Sequence, residues 1–404
     1  MKKSLKGASR TSLRLGFAAS LMVLLLTFAS SSIVIPLMAA FRTTLGITTG
    51  QVAMTTIAYC AGCAVSLLFL GRISNRFGRR PVAAAAVVIV LAVLYVLGHL
   101  ESLGGLYLAR LLQGIACGLT ASAVLAWVTE MAPKRNGNLT AVLVSGGPSI
   151  GFTIGALLTG IWVDGFGFKL QSLLAVVAAV CALALIMILP AHDSSMRKPE
   201  PLWKLVRPSL KVPERIRGIF WPIVTTVLGG WALGAFAQAF TAPMTAEMLG
   251  ADNQLASAVA FVAYLSGFAF GGFFLRGAPY AALRLSILIF LASTAAAFAC
   301  FTAGTYLGYV AFAIPTGISS GIALAADMKL LMKDVLPEER TQVLASLYAV
   351  GYAGSAAFGF SAAAIADMMP LSSACWMAFL WLTLLCGYSL ISRKLKAYGE
   401  AFEA

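Results

Sequence analysis

"GRISNRFGRRPV", residues 71–82, sets four arginines between two long apolar runs. Charge gathered in so short a gap fits a chain that leaves a membrane and re-enters it, because short cytoplasmic loops of membrane proteins are rich in Lys and Arg. The composition agrees. Of the 404 residues, 60% are hydrophobic and 11% charged, against roughly 25% charged in soluble domains. A net charge of +14 would suit nucleic-acid binding only with a basic face on a soluble fold, and no polar stretch is long enough to build one. The chain therefore reads as an all-α, polytopic membrane protein bound to the lipid bilayer.

A span needs about 20 apolar residues. That ruler places twelve, at 15–41, 50–71, 81–99, 103–129, 139–163, 170–190, 219–246, 253–275, 282–302, 305–331, 341–366 and 370–392. Lys2, Lys3, Lys6, Arg10 and Arg14 precede the first run, which is too long for a signal-peptide core and reads as an uncleaved helix. The longest polar stretch, 191–218, holds four prolines and seven basic residues. It is expected to be a cytoplasmic linker between two six-helix halves, 1–190 and 219–404. With the N-terminus inside, 26 of the 29 lysines and arginines fall on the cytoplasmic side. The others are Arg42 and Lys169, outside, and Arg110, within the fourth span. A wrong helix count would scramble that partition, so it predicts cytoplasmic N- and C-termini.

The halves echo each other. Gly114 and Gly118 match Gly317 and Gly321 at an offset of 203 residues, and Asp164 matches Asp367 at the same offset. Two parallel six-helix repeats are a transporter architecture, with a substrate site near the membrane midplane between them.

The 71–82 loop resembles the signature of the major facilitator superfamily, Gly-x-Leu-Ala-Asp-Arg-x-Gly-Arg-Arg/Lys, with Gly71, Arg76, Gly78, Arg79 and Arg80 in register. "YLARLLQGIACG" is similar to the family's fourth-helix motif through Arg110, Gln113 and Gly114. "SGGPSIGFTIG" resembles the Gly-Pro motif of its drug/proton antiporter (multidrug efflux) branch through Gly147, Pro148, Gly151 and Gly155. The resemblance implies alternating access, and in that branch proton-coupled efflux. Two departures stand out. The loop's acidic position is Asn75, which supplies no charge, so a softer inner gate is expected. The first span also lacks the acid that proton-coupled members often carry there.

Arg110 is the only base deep in the first half, and an intramembrane arginine is by default a functional candidate. It is expected either to relay charge or contact substrate, or to brace helices through backbone carbonyls and Gln113. Asp327 is the one carboxylate well inside a span. A carboxylate whose access to water changes during a cycle can take up and release a proton; the alternative is an ion pair with Lys329 or Arg340. The repeat sets Arg110 opposite Ala313 and Asp327 opposite Val124. Their depths differ by fourteen residues, about 21 Å at 1.5 Å per residue, which separates the two charges. Glu130, ending the fourth span, is placed to bond the loop arginines as part of a two-state inner gate, or else to sit solvated at the interface. Gly147, Pro148, Gly151 and Gly155 share one helix face, which permits close packing and a bend.

Ser31, Tyr59, Gln113, Trp127, Gln238, Tyr264, Tyr348 and Tyr352 are the polar and aromatic residues expected along a cavity, a set that suits an amphipathic organic ligand better than a bare ion. His99 and His192 sit at span ends, there is no His/Cys/carboxylate cluster, and no phosphate-binding loop occurs. Neither metal nor cofactor nor enzymatic chemistry is expected. The seven cysteines (60, 63, 117, 181, 300, 375 and 386) lie in apolar runs as packing residues. The expected protein is a monomeric transporter of the cell (inner) membrane that exports small amphipathic organic compounds against protons. Uniport or symport of neutral or anionic metabolites is the alternative, with a channel or lipid scramblase as a different class.

Overall fold

A computed structural model describes residues 10–132, 137–193, 201, 210–336 and 339–403. Lys2, Lys3, Lys6, Lys134, Arg135 and most of the 191–218 linker lie outside them. Among the described residues the chain is helical throughout, as lipid demands of a backbone that must satisfy its own hydrogen bonds. In order the helices are α1 (Arg10–Ser32), α2 (Met38–Leu45), α3 (Thr49–Leu70), the single turn α4 (Ser74–Phe77), α5 (Arg79–Gly98), α6 (Leu103–Met131) and α7 (Gly137–Gly160). There follow α8 (Leu170–Ile188), α9 (Glu214–Leu249), α10 (Gln254–Phe274), α11 (Pro279–Thr302), α12 (Tyr306–Met332), α13 (Arg340–Met368), α14 (Leu371–Ile391) and α15 (Arg393–Glu403). Twelve of them, all but α2, α4 and α15, are long and apolar enough to cross a membrane.

One span departs from its expected course. The run 15–41 is not a single helix: α1 stops at Ser32, residues 33–37 turn, and α2 restarts at Met38. Pro36 lacks an N–H and disfavours helix at Ile35. Just before it, Ser30, Ser31 and Ser32 donate their hydroxyls to carbonyls of the preceding turn, competing with the helical ladder.

The chain forms two compact units, Met1–Val34 with Ala58–Pro208, and Ile35–Ile57 with Ser209–Ala404. The division falls inside α3, between Ile57 and Ala58, so that α2 and the first turns of α3 group with the second unit. In the first unit α7 lies along α1, and α5 packs on α6 and α8. In the second, α12 packs between α10 and α11, and α9 lies against α13 and α14. There α15 folds back onto α9 and α11: Glu403 accepts from the backbone N–H of Tyr280 (2.6 Å) and Ala281 (3.1 Å), capping the start of α11. Tyr398 donates to Asp334 over 2.7 Å, with burial first and then that carboxylate pushing its phenol above the usual range.

The repeat shows in each unit as a seam without side chains. A Cβ on Gly114 of α6 would run into the Tyr59 carbonyl of α3, and one on Gly317 of α12 into the Tyr264 carbonyl of α10. Gly118 and Gly321 extend the two seams by a turn: Gly321 again faces a carbonyl, that of Phe268, whereas Gly118 meets the Ser66 side chain first and the Cys63 carbonyl beside it. Small residues let membrane helices approach backbone to backbone where no hydrophobic force would press them together.

Candidate functional site

The arginine-rich loop is tied down within its own unit. Gly78 has φ of 103°, a conformation open to glycine and not to side-chain-bearing residues, and it turns the chain from α4 into α5. Arg79 then reaches Glu130 at the end of α6, its Nη2 donating over 2.9 Å and its Nε over 3.4 Å, and it also donates to Ser74. Its backbone N–H donates to Asp193 over 3.1 Å, so a carboxylate beyond α8 sits at the start of α5, where a negative charge meets the positive end of the helix dipole. Arg80 donates to the carbonyls of Ile188 (2.9 Å) and Leu189 at the end of α8. Arg76 lies 5.8 Å from the Phe77 ring centroid, Gly71 follows α3, and Asn75 is exposed. Sequence reasoning placed Glu130 beside the loop and missed Asp193, because nothing local marks a carboxylate from a distant helix end as a cap.

Arg110 is wholly buried in the first unit. Its Nη1 donates to the Ser31 carbonyl and to Gln113 Oε1, each over 3.0 Å, and its guanidinium lies 4.7 Å from the centroid of the Tyr59 ring. Gln113 donates onward to the Ser30 carbonyl (3.0 Å), and Ser31 Oγ meets Cys117 Sγ at 3.1 Å. The frayed end of α1 thus supplies the carbonyls that hold the base. The structure brings Ser31, Tyr59, Arg110 and Gln113 into one polar cluster.

On α7 the glycines meet α1 directly. A Cβ at Gly151 would come within 2.7 Å of Phe28 Cβ, one at Gly155 would run into the Ala29 carbonyl, and one at Gly147 would meet the tip of Leu24 at 2.7 Å. Pro148 stands inside the same helix.

Asp327 is the only wholly buried carboxylate among the described residues, and neither oxygen has a hydrogen-bond partner there. No ion pair with Lys329 or Arg340 is formed: the lysine is two residues on along α12 and the arginine opens α13, yet the carboxylate turns into the unit, where Cys386 of α14 is among its neighbours.

Besides Ser31, Tyr59 and Gln113, two more of the expected cavity residues are buried. Trp127 is fully buried and donates from Nε1 to the His192 carbonyl over 3.0 Å; Tyr264 is buried and donates to the Gly230 carbonyl over 2.8 Å. In each case the polar tip of a large ring needs a partner once buried, and a backbone carbonyl supplies it. Gln238 remains half-buried on α9. Tyr348 and Tyr352 of α13 flank Trp231 of α9, their centroids each 5.3 Å from it. All three rings are half-buried. Both tyrosines were among the residues expected along a cavity; Trp231, a lone ring in an apolar run, was not. The described residues hold no group of three or more His, Cys, Asp or Glu that could bind a metal.

Comparison with known proteins sharpens the picture. The profile of the Major Facilitator Superfamily matches residues 20–360. The multidrug resistance protein MdtG of Enterobacter lignolyticus is 25% identical over 252 residues, 60% of this chain and 57% of the relative. The corresponding protein of Citrobacter koseri is 26% identical over 252 residues, 60% of this chain and 58% of the relative. A triacylglyceride transporter of Mycobacterium tuberculosis is 26% identical over 195 residues, 46% of this chain and 38% of that protein. The chain thus matches little more than half the length of the first two and well under half of the third.

Proposed function

The chain belongs to the major facilitator superfamily, whose members are transporters rather than enzymes, and from that premise we propose that this multi-pass membrane transporter exports small amphipathic organic compounds in exchange for protons. The observation that carries the proton is Asp327, a buried carboxylate with no hydrogen-bond partner among the described residues. Whether such a group is charged or neutral depends steeply on whether water reaches it. Alternating access, which admits water from one side at a time, makes it load and discharge. Export draws support from the Gly-Pro helix α7, whose glycines seat it on α1, and from the multidrug resistance relatives. Arg110 holds the end of α1 to α6 and relays charge to the cavity. The Arg79–Glu130–Asp193 network serves as the inner gate. The excess of Lys and Arg in these loops supports a cytoplasmic side for that gate and for both termini, and a monomer suffices.

A second reading keeps the fold and drops the exchange. α1 contains no acid, and a buried base without one beside it on that helix favours neutral or anionic cargo moved by uniport or symport. One experiment separates the two. Purified protein in proteoliposomes, loaded with a pH dye and held under an imposed proton gradient, is given a panel of cationic, neutral and anionic amphiphiles. Proton movement that follows added amphiphile, and that falls at least tenfold in Asp327→Asn, is the expected result. Labelled amphiphile crossing with no proton flux would overturn the exchange and leave uniport.

A further inference from the structure

Helix α3 begins with its own cap. Thr48 Oγ1 accepts from the Gln51 backbone N–H (3.1 Å), and Gln51 Oε1 accepts from the Thr48 N–H (2.9 Å), the reciprocal pair of a capping box. A helix so capped needs nothing more in order to start. Yet Asp367, one residue from the end of α13 and over 300 residues away in sequence, adds a second set of bonds to the same turn: Oδ1 accepts from the Gly50 N–H (2.7 Å) and Oδ2 from the Thr48 hydroxyl (3.0 Å). The fit is close. A Cβ on Gly50 would collide with the Asp367 carboxylate and the Ala363 carbonyl, and two turns along α3 Ile57 lies against Gly359, 3.3 Å from where its Cβ would stand. The first turns of α3 therefore run antiparallel to the last turns of α13 and touch them at Gly50 and at Ile57, with the carboxylate at the rim.

We propose that Asp367 is a positioning residue for transport, a releasable latch that holds the start of α3 against α13 and lets go when the protein opens on the side opposite its arginine-rich loops. Three features make the contact breakable rather than structural. Its bond to Thr48 is exposed, so water replaces it readily. A pocket of about 460 Å³ opens beside it, lined by Thr49 and Ala366, the chain neighbours of Gly50 and Asp367, together with Arg42, Glu247, Asp252 and Leu371. The stretch it holds is jointed, with the turn at 33–37 on one side of α2 and Gly46 at φ of 63° on the other. Since the boundary between the two compact units falls within α3, the latch acts on a helix to which both contribute. The inference rests on the alternating-access reading above.

The test needs no substrate, so its failure is separate from a failure to find cargo. Ile57→Cys is introduced as a reporter beneath the latch; six of the seven native cysteines are buried and Cys300 is half-buried, and the protein without the reporter serves as the blank. In cells, a membrane-impermeant maleimide added outside is expected to label Ile57→Cys at least threefold faster when Asp367→Ala is added, and likewise with Gly50→Val. Asp367→Asn, whose amide oxygen still accepts a bond, should fall between. Should Asp367→Ala not fold, the Asp367→Asn and Gly50→Val rates decide. Equal labelling rates in all the variants that remain monodisperse would overturn the latch and leave Asp367 as a fixed strut.

Discussion

Gly147 and Gly155 lie about two turns apart on one face of α7, yet a single methyl group should fare very differently at each. At Gly155 it meets the backbone carbonyl of Ala29, which cannot move unless α1 does; at Gly147 it meets the free end of Leu24, which can rotate. Gly155→Ala should therefore force the helices apart at about 1–3 kcal/mol or more, while Gly147→Ala should fold with little change. Thermal unfolding and the monodisperse fraction in detergent check both, and equal tolerance would mean that α7 is seated by something other than its glycines. The same contrast marks the limit of sequence reading. The spacing of Gly147, Gly151 and Gly155 showed that one face was smooth, but not which of them touched backbone. Arg110 was legible as a buried base with Gln113 in reach; that its second acceptor is the Ser31 carbonyl depends on where α1 frays, a tertiary outcome.

Short helices and their ends carry what the spans cannot. All twelve spans were legible, since about 20 apolar residues in a row have few other uses, and α2 was not, because Pro36 sits within a run that is apolar on both sides. The loop of residues 71–82 was read as an inner gate with its acidic position vacated by Asn75. In the structure the carboxylates that engage Arg79 come from Glu130 and Asp193, from the end of α6 and from beyond α8. Glu130→Gln keeps the shape and removes the charge from a pair whose side chains are 14% and 21% exposed. A charge-assisted pair that dry is worth about 1–2 kcal/mol, so the melting temperature of a chain this long should fall by roughly 1–2 °C. An unchanged melting temperature would leave the pair as a solvated interface contact, the other reading of Glu130.

Across the whole chain the two repeats share a scaffold and differ in chemistry. The offset of 203 residues aligns Gly114 with Gly317, and each does pack on a tyrosine carbonyl in its own unit. Arg110 has Ala313 at its counterpart and Asp327 has Val124, so the buried base belongs to one repeat and the buried acid to the other. Positions were legible because small residues recurring along a membrane helix serve close packing before anything else; partners were not, because a charge can be met by carbonyls, rings or hydroxyls that no spacing announces. The duplicated seam has a consequence in time. Where backbone lies on backbone, no rotamer change can loosen the contact and an opening must part whole helices, so amide hydrogens around Tyr59–Cys63 and Tyr264–Phe268 should be among the last to exchange with deuterated water. Mass spectrometry would then read two built-in clocks of similar design, one in each unit. Among the described residues, the first alone has a guanidinium resting on its tyrosine, and the difference between their rates measures how far that one buried charge slows its own half of the molecule.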